Sequence, residues 1–381
     1  MKPKTIYFVA GEVSADNHGA ALMRSLRELD GDLQFVGRGG PQMQEIAGEQ
    51  FKNWIGEAAV LGLWEVLRKY GYFREQFHET LREIRENKPD AVVLIDYPGF
   101  NLRLARALRT QAPRQKIIYY ISPQVWAWNR GRIKRMAHFI DLVLCIFPFE
   151  VDSYNQAGLH ALFVGHPMIE RLQGRKIDKK RDPNLVGLFP GSRSREVRKI
   201  FPVMLETASE LRNRNRNLRF EVAAASEQLA REMKPTVAGL DQSQDGGPIQ
   251  IKVDETPVIM QRAWAGIVAS GSATLEAAYF RLPFVLIYKV AWPTYLAARL
   301  VVSVKYLGMP NLLAGKEVAP EFIQYRAKPG AIVEAVQPLI ENANAREQMI
   351  SQFDVIIAKL GDSGASERAA RAIIEEIGSA T

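Results

Sequence analysis

The chain has 381 residues, 47% of them hydrophobic and 24% charged, which suits two globular domains and excludes a disordered or fibrous protein. A single cysteine, Cys145 in the apolar run LVLCIF, excludes an internal disulfide, argues against a cysteine-based metal centre and fits a reducing compartment. The formal charge of +8 suits nucleic acid, an anionic membrane or a phosphorylated substrate, and does not choose among them.

The N-terminus, MKPKTIYFVAGE, reads as a first strand and not as a signal peptide, because its apolar run stops at Gly11 and Glu12. Further apolar, β-branched runs follow at LQFVG (33–37), AVVLID (91–96), KIIYYIS (116–122), LVLCIF (142–147) and ALFVG (161–165). Helical periodicity fills the gaps, most clearly over 61–86 and 101–111. Continuous apolar strands alternating with helices predict a parallel sheet covered on both faces. Residues 171–184 are polar and basic without apolar period and read as a linker. The alternation restarts at LVGLF (185–189), RFEVAAA (219–225), IQIKV (249–253), AGIVAS (265–270) and PFVLIY (283–288). From about 317 the pattern is helical, with no further strand. No apolar run reaches ~18 residues, and 283–304 is interrupted by Lys289, Pro293 and Arg299, so no membrane span is expected.

These elements predict an α/β protein with two doubly wound, Rossmann-like parallel-sheet domains. The boundaries are 1–170, a linker at 171–184, 185–355, and a helical tail at 356–381 that can pack back on the first domain. Such sheets bind ligands beyond the carboxyl ends of their strands, and the cleft between two of them is the default site.

Candidate residues therefore follow the strands. Glu12, Ser14 and Asp16 come after the first; a capped turn explains one of them but not two acids at a strand end. Gly37-Arg38-Gly39-Gly40-Pro41 lacks a dinucleotide fingerprint and reads as a close-packed turn. Asp96 ends AVVLID above Pro98 and Gly99, placed either as a general base or as a residue bonding loop amides, with Asn101 close behind. Ser122 to Asn129 holds Gln124, Trp126 and Trp128 beside basic residues, where indoles stack on a sugar or fill the core. Gly191, Ser192 and Arg193 open a helix whose free N–H groups favour an anion. Ser270, Gly271, Ser272, Ala273 and Thr274 end a strand and start a helix of small residues, with Glu276 one turn in to accept from a ribose. Asn311 lies in a polar-tipped loop, 310–315. Asp30-Gly31-Asp32 precedes a strand and reads as a turn, and no metalloprotease, P-loop or nucleophile-elbow motif occurs.

The segments AGEVSAD (10–16), GRGGPQM (37–43), DYPGFN (96–101), SPQVWAW (122–128), FPFE (147–150), GHP (165–167), PGSR (190–193), ASGSATLE (269–276) and PNLLAG (310–315) carry a resemblance. In this order, over nearly the whole chain, the sequence resembles the lipid-A-disaccharide synthase family, glycosyltransferases of the GT-B fold. Ala15 stands where that family usually has glycine. The resemblance implies transfer of 2,3-diacylglucosamine from its UDP derivative to 2,3-diacylglucosamine 1-phosphate (lipid X), with inversion, giving the β-1,6-linked disaccharide phosphate and UDP. It implies Asp96 as base with Glu12 as the second catalytic candidate, and Ser14, Asp16, Asn101, Gln124 and Trp126 on the acceptor. It places Gly191 to Arg193, residues 270–276 and Asn311 on the UDP-sugar. No metal, cofactor or nucleic acid is expected; a homodimer is an option, and the location is the cytoplasmic face of the inner membrane.

Residues 60–73 are too apolar for an ordinary exposed helix. Leu63, Trp64, Val66 and Leu67 with Arg68 and Lys69 suit either a core helix or a surface for acyl chains and anionic lipid. Two other readings stand beside the transferase: a UDP-sugar epimerase on the same double fold, and a nucleotide-sugar binding protein without catalysis.

Overall fold

The computed structural model describes residues 3–58, 70–123, 131–241, 249–292, 295 and 304–378. The chain forms two compact units, 1–170 with 360–381, and 171–359. In the first unit β1 (Thr5–Ala10), β2 (Gln34–Gly39), β3 (Phe51–Asn53), β4 (Ala91–Ile95), β5 (Lys116–Tyr120), β6 (Leu142–Cys145) and β7 (Ala161–Phe163) build a parallel sheet. Its order is β3-β2-β1-β4-β5-β6-β7, so the winding reverses between β1 and β4. Alternate residues of these strands feed two cores. Ile6, Phe8, Val93 and Ile95 face the helix Val13–Leu29, while Tyr7, Val9, Val92 and Leu94 face Leu81, Leu104 and Leu108.

The second unit repeats the plan with β8 (Asp182–Phe189), β9 (Arg219–Ala224), β10 (Gln250–Val253), β11 (Ala263–Ala269), β12 (Phe284–Tyr288) and β13 (Glu321–Ile323). The order β10-β9-β8-β11-β12-β13 puts its reversal between β8 and β11. Two strands escaped the apolar pattern. β3 exposes Lys52 and Asn53, and β13, at the sheet edge, is a three-residue strand paired in parallel through Leu286 and Glu321.

The linker is shorter than its composition suggests. The helix Pro167–Gln173 takes its first residues and β8 begins at Asp182, so only 174–181 joins regular elements. The helix Ala343–Ala358 also runs past 355. The last helix, Ala365–Gly378, lies on Val13–Leu29 and contributes Ala369, Ile373 and Ile377 to the first unit's core. Arg368 fixes its start by donating to the carbonyls of Val164, Asp362 and Ser363, and Lys116 pairs with Glu376 at 2.6 Å. No helix among the described residues is long and apolar enough to cross a membrane.

Arg38 is not in a turn. It lies within β2, 1% exposed, and ties the sheet to the helix Tyr70–Asn87. Its guanidinium bonds Glu83 at 2.5 and 3.0 Å and Glu79 at 2.9 Å, while Lys52 reaches both carboxylates at 2.7 Å and the Tyr7 hydroxyl donates to Glu83. Hydrogen bonds from Lys52 hold Glu79 near a pKa of about 2 against the desolvation that opposes it, with Arg38 adding to the effect.

Candidate active site at the switch points

At the first unit's reversal, Ala10 and Ile95 are register partners, so Gly11-Glu12 and Asp96 leave the sheet side by side. Gly11 allows this closeness: a Cβ there would lie 2.4 Å from the Tyr97 ring. Asp96 and Tyr97 both adopt left-handed backbone, φ 46° and 49°, a conformation costing ~1–3 kcal/mol each for such residues. The surroundings hold it. The Tyr119 hydroxyl donates to the Asp96 carbonyl at 2.5 Å, and the Asn101 amide donates to the carbonyls of Asp96 and Ile95 at 2.8 and 3.2 Å. Trp54 packs edge-on against Tyr97 and Phe100 while its indole donates to the Ala10 carbonyl at 2.6 Å. Burial, reinforced by the Glu12 charge, raises the Asp96 carboxyl to about 6; the same two causes push Tyr97 to about 12. The result is a carboxylate at a strand end, strained into place and poised near neutrality.

Other predicted residues of this unit have scaffolding contacts. Asp16 is 2% exposed and accepts from the backbone N–H groups of Gly40, Gln42 and Met43 at 3.0–3.1 Å, capping the helix Pro41–Ala47. Asn101, fully buried, supports the Asp96 turn instead of facing outward. Glu12 and Ser14 are exposed, and Glu12 begins the helix Val13–Leu29 without a side-chain cap. Ala15 is buried in that helix's first turn and is not among the left-handed residues, so alanine suits the position. Gln124 and Trp126, like Leu63, Trp64, Val66, Leu67, Arg68 and Lys69, lie outside the described residues.

The second unit's reversal brings two turns together. Phe189 and Val268 are register partners, and a Cβ on Gly191 would sit 3.6 Å from that of Ala269. Gly191 (φ 98°) and Gly271 (φ 142°) take backbone that side chains rarely adopt. Each precedes a helix start, Ser194–Arg214 and Ser272–Tyr279, so two sets of unpaired N–H groups lie at adjacent strand ends, an arrangement suited to a diphosphate. Arg193 is 63% exposed and pairs with Glu196 at 3.3 Å. Thr274 is buried and turns its hydroxyl back to the Gly271 carbonyl at 2.8 Å. Glu276 is 13% exposed and accepts from Arg171 at 2.6 Å.

Asn311 departs from its loop reading. It is 1% exposed within the helix Met309–Ala314 and bonds Val318, Ala319 and Glu321 at 2.7–2.9 Å. Two residues that the sequence reading passed over stand near the second site: Arg171 and Tyr288. Tyr288 is raised above its usual pKa by burial and then by Glu196, while Arg193 acts in the opposite sense. Only its position at a strand's carboxyl end would have marked it. Among the described residues no group of three His, Cys, Asp or Glu is placed to hold a metal ion.

Both sheets place their reversals under glycine turns, and the fold has counterparts among solved structures. The UDP co-structure of MnaA from S. aureus matches at TM-score 0.63 with 14% identity, covering 99% of this chain and 97% of that one. The UDP-GlcNAc 2-epimerase from Neisseria meningitidis bound to UDP-GlcNAc matches at 0.61 with 13% identity, covering 98% and 100%. These likenesses establish a GT-B fold. A family model for lipid-A-disaccharide synthetase matches residues 6–374, and the lipid-A-disaccharide synthase of Geobacter sulfurreducens is 39% identical over 98% of this chain and 97% of its own. The chain belongs to the lipid-A-disaccharide synthetase family and is a glycosyltransferase of lipid A synthesis.

Proposed function

We propose that the protein condenses UDP-2,3-diacylglucosamine with 2,3-diacylglucosamine 1-phosphate, with inversion, to the β-1,6-linked disaccharide 1-phosphate and UDP. The observation that carries the reading is the Asp96 carboxylate, strained, half-buried and shifted to about 6 beside Glu12. The acceptor's 6-hydroxyl oxygen attacks the donor's anomeric carbon as the bond to the diphosphate oxygen breaks. The proton passes to Asp96 and the electron pair leaves with UDP. A single displacement inverts the centre, and a positioned base contributes ~10²–10⁴-fold. The turns at Gly191 and Gly271 receive the diphosphate's charge, with Arg193 beside them and Glu276 on the ribose. Asp16, Asn101 and Asn311 act through the turns they hold.

Incubation with donor and acceptor separately and together tests the reading against its alternatives. Release of UDP only when both are present supports a transferase. Conversion of donor alone to its epimer, or tight binding with no turnover, would remove it. Activity should persist in excess EDTA, because helix termini and Arg193 stabilise the leaving diphosphate; loss restored by Mg²⁺ overturns this expectation.

The sequence of residues 60–73 supports peripheral contact with the cytoplasmic face of the inner membrane, through apolar side chains beside Arg68 and Lys69. Each buried methylene contributes ~0.8 kcal/mol, against ~1 kcal/mol for each cation near an anionic surface. Polar replacements of Val66 and Leu67 should therefore cut cosedimentation with anionic vesicles more than salt does. A folded double variant that cosediments like the wild type excludes the segment from lipid contact.

A further inference from the structure

The turn assigned to the diphosphate leads into the helix Ser272–Tyr279, and Glu276 is the fifth residue of that helix. Among its helix neighbours Ser272 and Tyr279 carry hydroxyls, while Ala273, Ala277 and Ala278 have no polar side chain to orient a carboxylate. Arg171 does so from the helix Pro167–Gln173, donating from Nη2 to Oε1 at 2.6 Å. A carboxylate has about four acceptor positions, so one arginine bond leaves enough for both hydroxyls of a vicinal diol. A flexible glutamate bound in this way has less rotational freedom left to lose when the diol arrives.

We propose that Arg171 is a positioning residue for the nucleotide, presetting Glu276 toward the ribose hydroxyls of a nucleoside diphosphate. The inference rests on the assignment of Glu276 to the ribose. Arg171 is 40% exposed, and an ion pair of that exposure can form without consequence for binding, so the test must separate the two cases.

Calorimetry with UDP and 2′-deoxy-UDP on the full-length wild type, Arg171→Ala, Arg171→Lys, Glu276→Ala and the double alanine variant does so. Glu276→Ala should weaken UDP about tenfold or more and erase the preference over 2′-deoxy-UDP. Arg171→Ala should weaken UDP about three- to tenfold, change 2′-deoxy-UDP less, and add nothing once Glu276 is alanine. Arg171→Lys should recover part of the loss, and the donor KM should rise with kcat within about twofold. If Glu276→Ala binds UDP as the wild type does, the ribose assignment fails and this proposal fails with it. If Glu276→Ala weakens UDP and Arg171→Ala does not, the assignment stands and Arg171 is only a surface partner. Equal losses for both nucleotides in Arg171→Ala, or additive losses in the double variant, place the arginine's action elsewhere and overturn the proposal.

Discussion

Asp96→Asn is expected to lower turnover about 10²-fold or more while leaving UDP affinity and folding near the wild type. Asparagine keeps the shape of the side chain and tolerates left-handed backbone better than most residues, so the φ of 46° is preserved. What it removes is the basic oxygen. The wild-type pH profile should carry the same group. A base works unprotonated, so kcat/KM should rise as pH increases through about 6 and level off above it. Glu12→Gln should move that limb to lower pH, since it deletes a charge that opposes ionisation; burial, the larger cause, remains. Near-normal turnover by Asp96→Asn would take the base role from this residue, and a limb unmoved by Glu12→Gln would mean the two carboxylates do not interact.

The largest effect on stability should come from Arg38→Ala. The substitution leaves Glu79 and Glu83, beside Tyr7 on the helix Tyr70–Asn87, with Lys52 as their remaining cation. Breaking a fully buried pair from one side costs about 3–5 kcal/mol, and the partial exposure of the glutamates and the retained Lys52 bonds put this loss toward or below the lower end. Hydrogen exchange should register the loss in that helix and in β2. The wild-type network has a pH signature of definite sign. Both carboxyls are depressed in the folded protein, Glu79 to about 2, so their contribution is complete above the unfolded value of ~4.3 and is lost as pH falls toward 2. Arg38→Ala should lose part of this acid dependence, chiefly that of Glu83, because Lys52 still holds Glu79 down. Unchanged exchange in Tyr70–Asn87 would show that apolar packing alone holds the helix.

The alternation of apolar strands and helices was enough to read both sheets, because central strands buried on two faces announce themselves as unbroken runs. It failed where that cause is absent: β3 turns Lys52 and Asn53 outward, and the Glu321–Ile323 strand is too short to form a run. The candidate site's positions were legible where they depend on place in the chain. Asp96 after β4, and the glycine turns after β8 and β11, stand where the strand ends required. The reading went astray over residues whose partners are distant in sequence. Asp16 binds amides 24 to 27 residues away, Asn311 folds back on Val318 and Ala319, and Arg38 meets carboxylates over 40 residues downstream. A polar residue near a conspicuous turn looks free until the fold supplies its partner.

The return of the helix Ala365–Gly378 to the first unit has a consequence for the order of folding on the ribosome. Everything from 171 to 359 is threaded as an insertion within that unit, so the second unit can complete its contacts first. At ~5–20 residues per second, the roughly 200 residues after Glu170 take about 10–40 s to emerge. Throughout that interval Leu22, Met23 and Leu26 on the helix Val13–Leu29 lack the Ile373 and Ile377 that cover them in the finished protein. The nascent chain therefore carries an open greasy stripe until residues 373–377 are made, a natural ledge for a chaperone and the place where a chain stopped before them would begin to aggregate.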